Sequence, residues 1–193
     1  MILNSTRIDK NLIILGCGTS YHAGLLGLEY FKELTNFNTV QLFDGAEFDL
    51  KDIPKQGITG LLLLSQSGET KDLHRCIEIA QSNDAITLGV VNVPDSLIAR
   101  ETDCGVYLNA GREFAVASTK SFTCQCIVLS LISIWFSQNR KNHIKMRNQF
   151  LESCDSIIKF ILPRISFKLY FVIRYKQINS KSYLTTILIW IYS

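Results

Sequence analysis

The chain lacks several features that would mark a secreted, metal-binding or membrane protein. Its 193 residues include six cysteines, but no two of them have C-x-x-C spacing and no histidine completes a zinc pattern. The N-terminus becomes polar within a few residues, so we expect no signal peptide. No run approaches about 18 apolar residues, so we expect no membrane-spanning helix. These absences predict a cytoplasmic protein with reduced, buried thiols and neither a metal nor another cofactor.

A strong charge of either sign is also missing. Lys and Arg number 20 against 17 Asp and Glu, which gives a formal net charge of +3. Much of the excess lies near the C-terminus, because basic residues continue after Asp155 and acidic ones do not. A nearly neutral body has no electrostatic reason to bind nucleic acid or a membrane surface.

The length of the chain suits one domain with a substantial core.

Short apolar runs alternate with helical patterns over most of the chain. We predict strands at residues 12–15, 40–43, 61–64, 86–91 and 104–108, and helices ending near 34, at 68–81, 117–138 and 144–160. Continuous apolar runs are typical of strands buried on both faces. Repeated strand–helix–strand units form right-handed parallel crossovers. The predicted fold is therefore α/β, a three-layer α/β/α sandwich around a five-stranded parallel sheet.

Two segments near the C-terminus stand out by composition. The predicted helix at 117–138 is apolar on most faces, which indicates deep burial or packing against a second copy or a second domain. After Pro163 the chain is rich in Ile, Tyr, Phe, Ser and Lys and has no Gly. We therefore assign residues 1–160 to one domain and leave 161–193 as a divergent tail without an assigned structure.

The turn after the third predicted strand is the first candidate site, because ligands of open parallel sheets bind outside the carboxyl ends of the strands. Its residues are Ser65-Gln66-Ser67-Gly68-Glu69-Thr70. Backbone N–H groups and a helix dipole favour an anion where a helix begins, and Gly68 allows close approach. No lysine follows the glycine as in a P-loop, which argues against a nucleoside triphosphate. An ordinary helix cap is the alternative.

The turn after the first strand repeats this design with Gly16-Cys17-Gly18-Thr19-Ser20. A dinucleotide-binding fingerprint would need a glycine at position 21, where Tyr21 stands, although Asp44 could serve as its ribose-binding acid. That alternative stays open. Two hydroxyl-rich turns on adjacent strands fit a small polyol phosphate better, with one turn for the phosphate and one for the sugar hydroxyls.

A third loop leads into the long helix through Ser118 and Thr119, with Glu113 and Lys120 as its nearby acid and base. Glu113 could be catalytic, but an ion pair or a helix-end contact is the simpler role. All three histidines lie within a predicted helix or directly beside one. We assign no catalytic residue.

Four motifs carry a family resemblance: G-C-G-T-S-Y-H-A-G-L at 16–25, L-S-Q-S-G-E-T at 64–70, R-E-T-D-C-G-V at 100–106 and A-S-T-K-S-F-T at 117–123. Together they resemble glutamine–fructose-6-phosphate aminotransferase, the isomerising enzyme that makes glucosamine 6-phosphate for hexosamine (UDP-N-acetylglucosamine) synthesis. The eukaryotic form is the more similar. The similarity extends over residues 12–160 and implies a sugar isomerase (SIS) domain with a flavodoxin-like sheet.

The resemblance implies a site for a hexose 6-phosphate, either fructose 6-phosphate or glucosamine 6-phosphate. The family's phosphate contacts fall on Ser65, Gln66, Ser67 and Thr70. Its first substrate loop falls on Thr19 and Ser20, and a backbone contact to the sugar falls on Val116. Further candidates are Cys17, Gly68, Ser118 and Lys120. The third loop departs from the family pattern at Arg112, Phe114 and Ala115.

Members of that family also have a glutaminase domain and a second isomerase domain, which supplies the base for proton transfer. No residue precedes Met1, and residues after 160 match none of those motifs. We therefore expect a truncated chain that binds a sugar phosphate, and whether it is an enzyme stays open. The alternatives are a stand-alone regulatory sugar-phosphate module and an inert piece of a larger gene product. A partner chain with the second domain would restore an enzymatic interpretation.

Overall fold

A computed structural model of the protein describes residues 10–112 and 119–137, together with 149, 152 and 153. All five strands pair in parallel, in the order β2-β1-β3-β4-β5. Their bounds are β1 (Asn11–Gly16), β2 (Thr39–Asp44), β3 (Thr59–Ser65), β4 (Ile86–Val91) and β5 (Cys104–Tyr107). The predicted five-stranded parallel sheet is confirmed.

Helices cover both faces of this sheet. They are α1 (Thr19–Leu34), α2 (Lys71–Gln81), α3 (Leu97–Glu101) and α4 (Thr119–Ser137), with a 3₁₀ turn at Leu50–Asp52. Side chains alternate along β3, so Leu62 packs with residues of α1 and α4, while Leu63 packs with residues of α2 and α3. The run of four leucines is buried on both faces for this reason, and the three-layer α/β/α sandwich is confirmed.

The structure corrects some predicted bounds. We predicted a helix from residue 68, but α2 begins at Lys71, because Gly68 has φ +69° and Thr70 is extended. Strand β5 ends one residue earlier than predicted, and α3 was not predicted because five residues are too few to show a helical period. The predicted helix at 144–160 lies outside the described residues except for 149, 152 and 153, which are helical. The boundary at 160 and the tail stay predictions.

Helix α4 is a core helix of this domain. Eleven of its 19 residues are buried, and it packs against α1 where Gly27 leaves room for Leu129. An added Cβ at Gly27 would lie 3.0 Å from Leu129 Cδ1. Helix α4 is long and apolar enough to cross a membrane, but core helices of soluble proteins share those properties. Half of its apolar stretch is buried inside the domain. Burial within the domain is therefore observed for part of this helix, and packing against a second copy or a second domain stays a prediction.

The burial of β3 predicts an asymmetry between two leucine truncations. Leu62 is 1% exposed at the centre of the sheet, whereas Leu26 on α1 is 43% exposed. Leu62→Ala leaves a cavity and is expected to lower the free energy of unfolding by about 2–5 kcal/mol. Leu26→Ala is expected to change it by less than about 1 kcal/mol. Urea denaturation followed by circular dichroism measures both, and equal losses would contradict this placement of β3.

Candidate functional site

The turn after β3, residues 65–70, gathers three hydroxyl groups at the start of α2. Ser65 Oγ accepts a hydrogen bond from the Gly68 backbone N–H at 2.9 Å and lies 3.0 Å from Thr70 Oγ1. Ser67 Oγ accepts from the Glu69 backbone N–H at 3.2 Å. Gln66 is half-buried between them. The structure thus places the hydroxyls that the sequence singled out in one turn. We call residues 65–70 the β3 turn.

Gly68 is the position in this turn that admits no side chain. Its φ of +69° is unfavourable for L-residues, and an added Cβ would overlap Ser96 Oγ and Cβ. Its carbonyl oxygen accepts from the Ile98 N–H at 3.0 Å. The β3 turn therefore packs directly on the beginning of α3.

The first turn of α3 is capped by Glu69 rather than by Ser96, the residue at its N-cap position. Ser96 stands at the N-cap of α3 but makes no side-chain cap, and Glu69 Oε1 instead accepts from the Leu97 N–H at 2.9 Å. Ser96 Oγ is buried and has no hydrogen-bond partner among the described residues. Sequence reasoning missed both residues. The available signal was an acid placed within an otherwise neutral anion-binding turn.

The turn after β1 lies beside the β3 turn, because Gly16 pairs with Leu64 in adjacent strands. Gly18 is the N-cap residue of α1, with φ +57° and no side-chain cap. Thr19 is exposed, whereas Ser20 is 7% exposed and its Oγ accepts from Gln125 Nε2 at 2.9 Å. Thr19 thus presents its side chain to solvent, while Ser20 also joins α1 to α4.

Cys17 belongs to the same turn, and its surroundings favour the neutral thiol over the thiolate. Burial raises the pKa of Cys17, and the nearby Asp44 carboxylate raises it further. Asp44 Oδ1 also accepts from the Ala46 N–H at 2.9 Å. Arg75 of α2 donates to the Phe48 carbonyl at 2.8 Å and so holds the segment after β2. Sequence reasoning missed this contact.

The loops after β4 and β5 are joined by one side chain that the sequence analysis did not single out. Asn92 Nδ2 donates to the Gly111 carbonyl at 2.8 Å, and Asn92 Oδ1 accepts from the Ala110 N–H at 2.8 Å. Lys120 Nζ donates to the Arg112 carbonyl at 2.7 Å, so this candidate holds the loop before α4. The remaining candidates in that loop, Glu113, Val116 and Ser118, lie outside the described residues.

The chemistry available here is that of neutral hydrogen-bond donors around a helix N-terminus. Hydroxyl and amide groups at such a place suit a phosphate. In the described part of the chain no group of three or more His, Cys, Asp or Glu could hold a metal ion.

Comparisons with known proteins match this architecture. Residues 7–134 match the SIS domain family. A protein of Acanthamoeba polyphaga mimivirus, named a probable glutamine–fructose-6-phosphate aminotransferase (isomerizing), is 51% identical over 132 residues, which are 68% of this chain and 22% of the relative. The human glutamine–fructose-6-phosphate aminotransferase (isomerizing) 2 is 35% identical over 164 residues, 85% of this chain and 24% of the relative. The matched region is therefore about a quarter of these relatives.

Solved structures share the fold. The C-terminal domain of glucosamine-fructose-6-phosphate aminotransferase from Francisella tularensis superposes with a TM-score of 0.71 at 23% identity. The match covers 82% of this chain and 45% of that one. At this identity the likeness concerns the fold alone.

The contact between Gly68 and Ser96 predicts a steric effect that a second glycine can isolate. Gly18→Ala, at positive φ but with nothing within 4 Å of an added Cβ, should incur backbone strain alone, about 1–3 kcal/mol. Gly68→Ala should destabilise by at least about 1 kcal/mol more, because the methyl group meets Ser96. The double variant Gly68→Ala/Ser96→Gly should recover part of that difference. Chemical denaturation measures all three, and no recovery in the double variant would contradict the packing.

The setting of Cys17 predicts slow alkylation that one substitution accelerates. Because the thiolate is the reactive form, a raised pKa slows reaction with iodoacetamide near pH 8. Asp44→Asn removes a charge that raises the pKa of Cys17, so its alkylation rate should increase. Asp84→Asn, in the α2–β4 turn, is the matched control and should leave the rate unchanged. Peptide mapping by mass spectrometry gives the rate at Cys17, and equal rates in both variants would refute the role of Asp44.

Proposed function

Because this chain belongs to the SIS domain family, we propose that it binds a sugar phosphate with the phosphate on the β3 turn. The observation that carries the proposal is the cluster of Ser65, Ser67 and Thr70 hydroxyls where α2 begins. The turn after β1, with Thr19 exposed at its mouth, lies on the adjacent strand and is the expected place for the sugar. The proposed phosphate ligands are Ser65, Gln66, Ser67 and Thr70.

The hydrogen bonds within the turn suit a phosphate. The oxygens of Ser65 and Ser67 accept from backbone N–H groups. One hydroxyl of the Ser65–Thr70 pair donates to the other, so the proton of the accepting hydroxyl and that of Ser67 remain able to donate to a phosphate oxygen. The dipole of the 11-residue helix α2 adds a favourable field for an anion at this end. None of residues 65–70 is cationic, so the ligand would be recognised by neutral donors rather than by ion pairs.

The finer identity of the ligand rests on the sequence relatives. We propose fructose 6-phosphate or glucosamine 6-phosphate, in the hexosamine pathway, because relatives at 51% and 35% identity are named glutamine–fructose-6-phosphate aminotransferases. The chain spans 22% and 24% of those relatives, so the aminotransferase activity itself requires parts that lie beyond the match. On this proposal the chain is the phosphate-holding part of such a protein and acts in the cytoplasm. Thr19, Ser20 and Val116 are its proposed contacts to the sugar, and Cys17, Gly68, Ser118 and Lys120 are additional proposed contacts.

A regulatory sugar-phosphate module without catalysis is the second candidate. It is favoured by the engagement of the two acids beside the turns: Glu69 caps α3 and Asp44 caps its own turn. Neither contact leaves the carboxylate poised as a general base for a bound sugar. Turnover assays with fructose 6-phosphate and either glutamine or ammonia distinguish the candidates, since a module binds without forming glucosamine 6-phosphate.

A thermal-shift titration tests sugar-phosphate binding, and Thr70 provides the sharpest variant. Thr70 makes no side-chain cap to α2, so its truncation removes no helix cap, although it removes the hydroxyl contact with Ser65. Fructose 6-phosphate at a hundred times its dissociation constant should stabilise the fold by about 2.7 kcal/mol. Thr70→Ala removes one hydrogen bond to a charged group and should weaken binding about tenfold or more. Thr70→Ser keeps the hydroxyl and should bind nearly as well as the wild type.

The controls separate phosphate recognition from nonspecific stabilisation. Fructose without phosphate should give little shift, while inorganic phosphate should give a smaller shift that Thr70→Ala also reduces. Ser82→Ala, which loses an exposed hydroxyl at the far end of α2, should behave like the wild type. A folded wild-type sample that fructose 6-phosphate does not stabilise would refute the proposal.

A further inference from the structure

An acidic residue in a turn proposed to hold a phosphate presents an electrostatic problem. Glu69 lies between Gly68 and Thr70, and a carboxylate there would repel a phosphate dianion if it faced the ligand. The structure shows how the chain avoids this. Glu69 Oε1 accepts from the Leu97 N–H, which directs the charge to the first turn of α3.

Three contacts connect the β3 turn to the start of α3. The Glu69 carboxylate accepts from Leu97 N–H at 2.9 Å, and the Gly68 carbonyl accepts from Ile98 N–H at 3.0 Å. Gly68 also rests against Ser96 with no space for a side chain. Because Ser96 makes no cap of its own, the carboxylate from the β3 turn takes over that role. The conformation of the turn is thus coupled to α3.

Helix α3 is itself held to α2, which completes a ring of contacts. His74 Nε2 of α2 lies 2.7 Å from Glu101 Oε2, and Gln81 Nε2 donates to the Glu101 carbonyl at 3.3 Å. The contacts therefore form a closed ring. The β3 turn continues into α2, α2 contacts Glu101 of α3, and α3 contacts the turn again through Glu69. A support closed in this way restricts movement of the hydroxyl groups before a ligand arrives.

We propose that Glu69 is a positioning residue of the phosphate site, which holds the β3 turn in its binding conformation by capping α3. The inference rests on the proposed function, since the ligand is the phosphate of that proposal. The hydrogen bond to Leu97 carries the role, and the negative charge is not needed for it. A neutral side chain of the same shape therefore preserves the site, whereas truncation loosens it.

Substitutions of Glu69 in the full chain separate these effects. Glu69→Gln retains an oxygen that accepts from Leu97 N–H, and it should bind inorganic phosphate and fructose 6-phosphate at least as tightly as the wild type. Glu69→Ala loses the cap and should bind both about fivefold more weakly. Glu29→Ala, an exposed acid on α1, is the matched control and should bind as the wild type does.

Hydrogen exchange without ligand provides a readout that is independent of binding. Glu69→Ala should increase the exchange rate of the Leu97 and Gly68 amides, and Glu69→Gln should keep both near the wild-type rate. If Glu69→Ala binds phosphate as tightly as the wild type, or if Glu69→Gln binds as weakly as Glu69→Ala, the positioning role is wrong. If the folded wild type binds neither inorganic phosphate nor the sugar phosphate, the proposed function itself fails. The Leu97 exchange result then still decides whether the cap exists.

Discussion

The parallel register of the sheet is the constraint on which the site depends. Gly16 at the end of β1 pairs with Asp44 of β2 and Leu64 of β3, and Ser65 pairs with Val91 of β4. Because all strands run in the same direction, every strand end delivers its loop to one edge. Turns that are nearly fifty positions apart in sequence, such as those that contain Thr19 and Ser65, follow adjacent strands for this reason.

The site that results uses position rather than charge. Ser65, Ser67 and Thr70 are neutral, and the carboxylate of Glu69 is engaged with the backbone of α3. Neutral donors bind an anion well only when they are held in place, because each is weak and must not be reoriented at the moment of binding. This explains the number of internal contacts in the β3 turn and the absence of space at Gly68. On the proposed function, the fixed positions of these donors take the place of the attraction that a lysine or arginine would provide.

The sequence was sufficient for the sheet and for the location of the hydroxyl groups, but not for the contacts that hold them. The four leucines of β3 indicate a strand buried on both faces, because the apolar run is short and is bounded by glycine- and serine-containing turns. The start of α2 was misplaced because Ser, Gly and Thr are equally compatible with a helix cap and with a longer turn. The capping of α3 by Glu69 spans 28 positions, and the link from Gln125 to Ser20 spans 105. Local patterns contain no information on such pairings.

The proposed function assigns phosphate binding and chemistry on the sugar to different groups of the fold. On the proposed function, phosphate recognition uses the β3 turn and the start of α2, which contacts within residues 65–101 help to hold. Chemistry on the sugar needs a base held at a chosen carbon atom, and Asp44 and Glu69 are both used to hold loops. Holding and reacting are therefore separable tasks in this fold. A domain that anchors the phosphate can serve an enzyme or a sensor, depending on what is placed over the sugar.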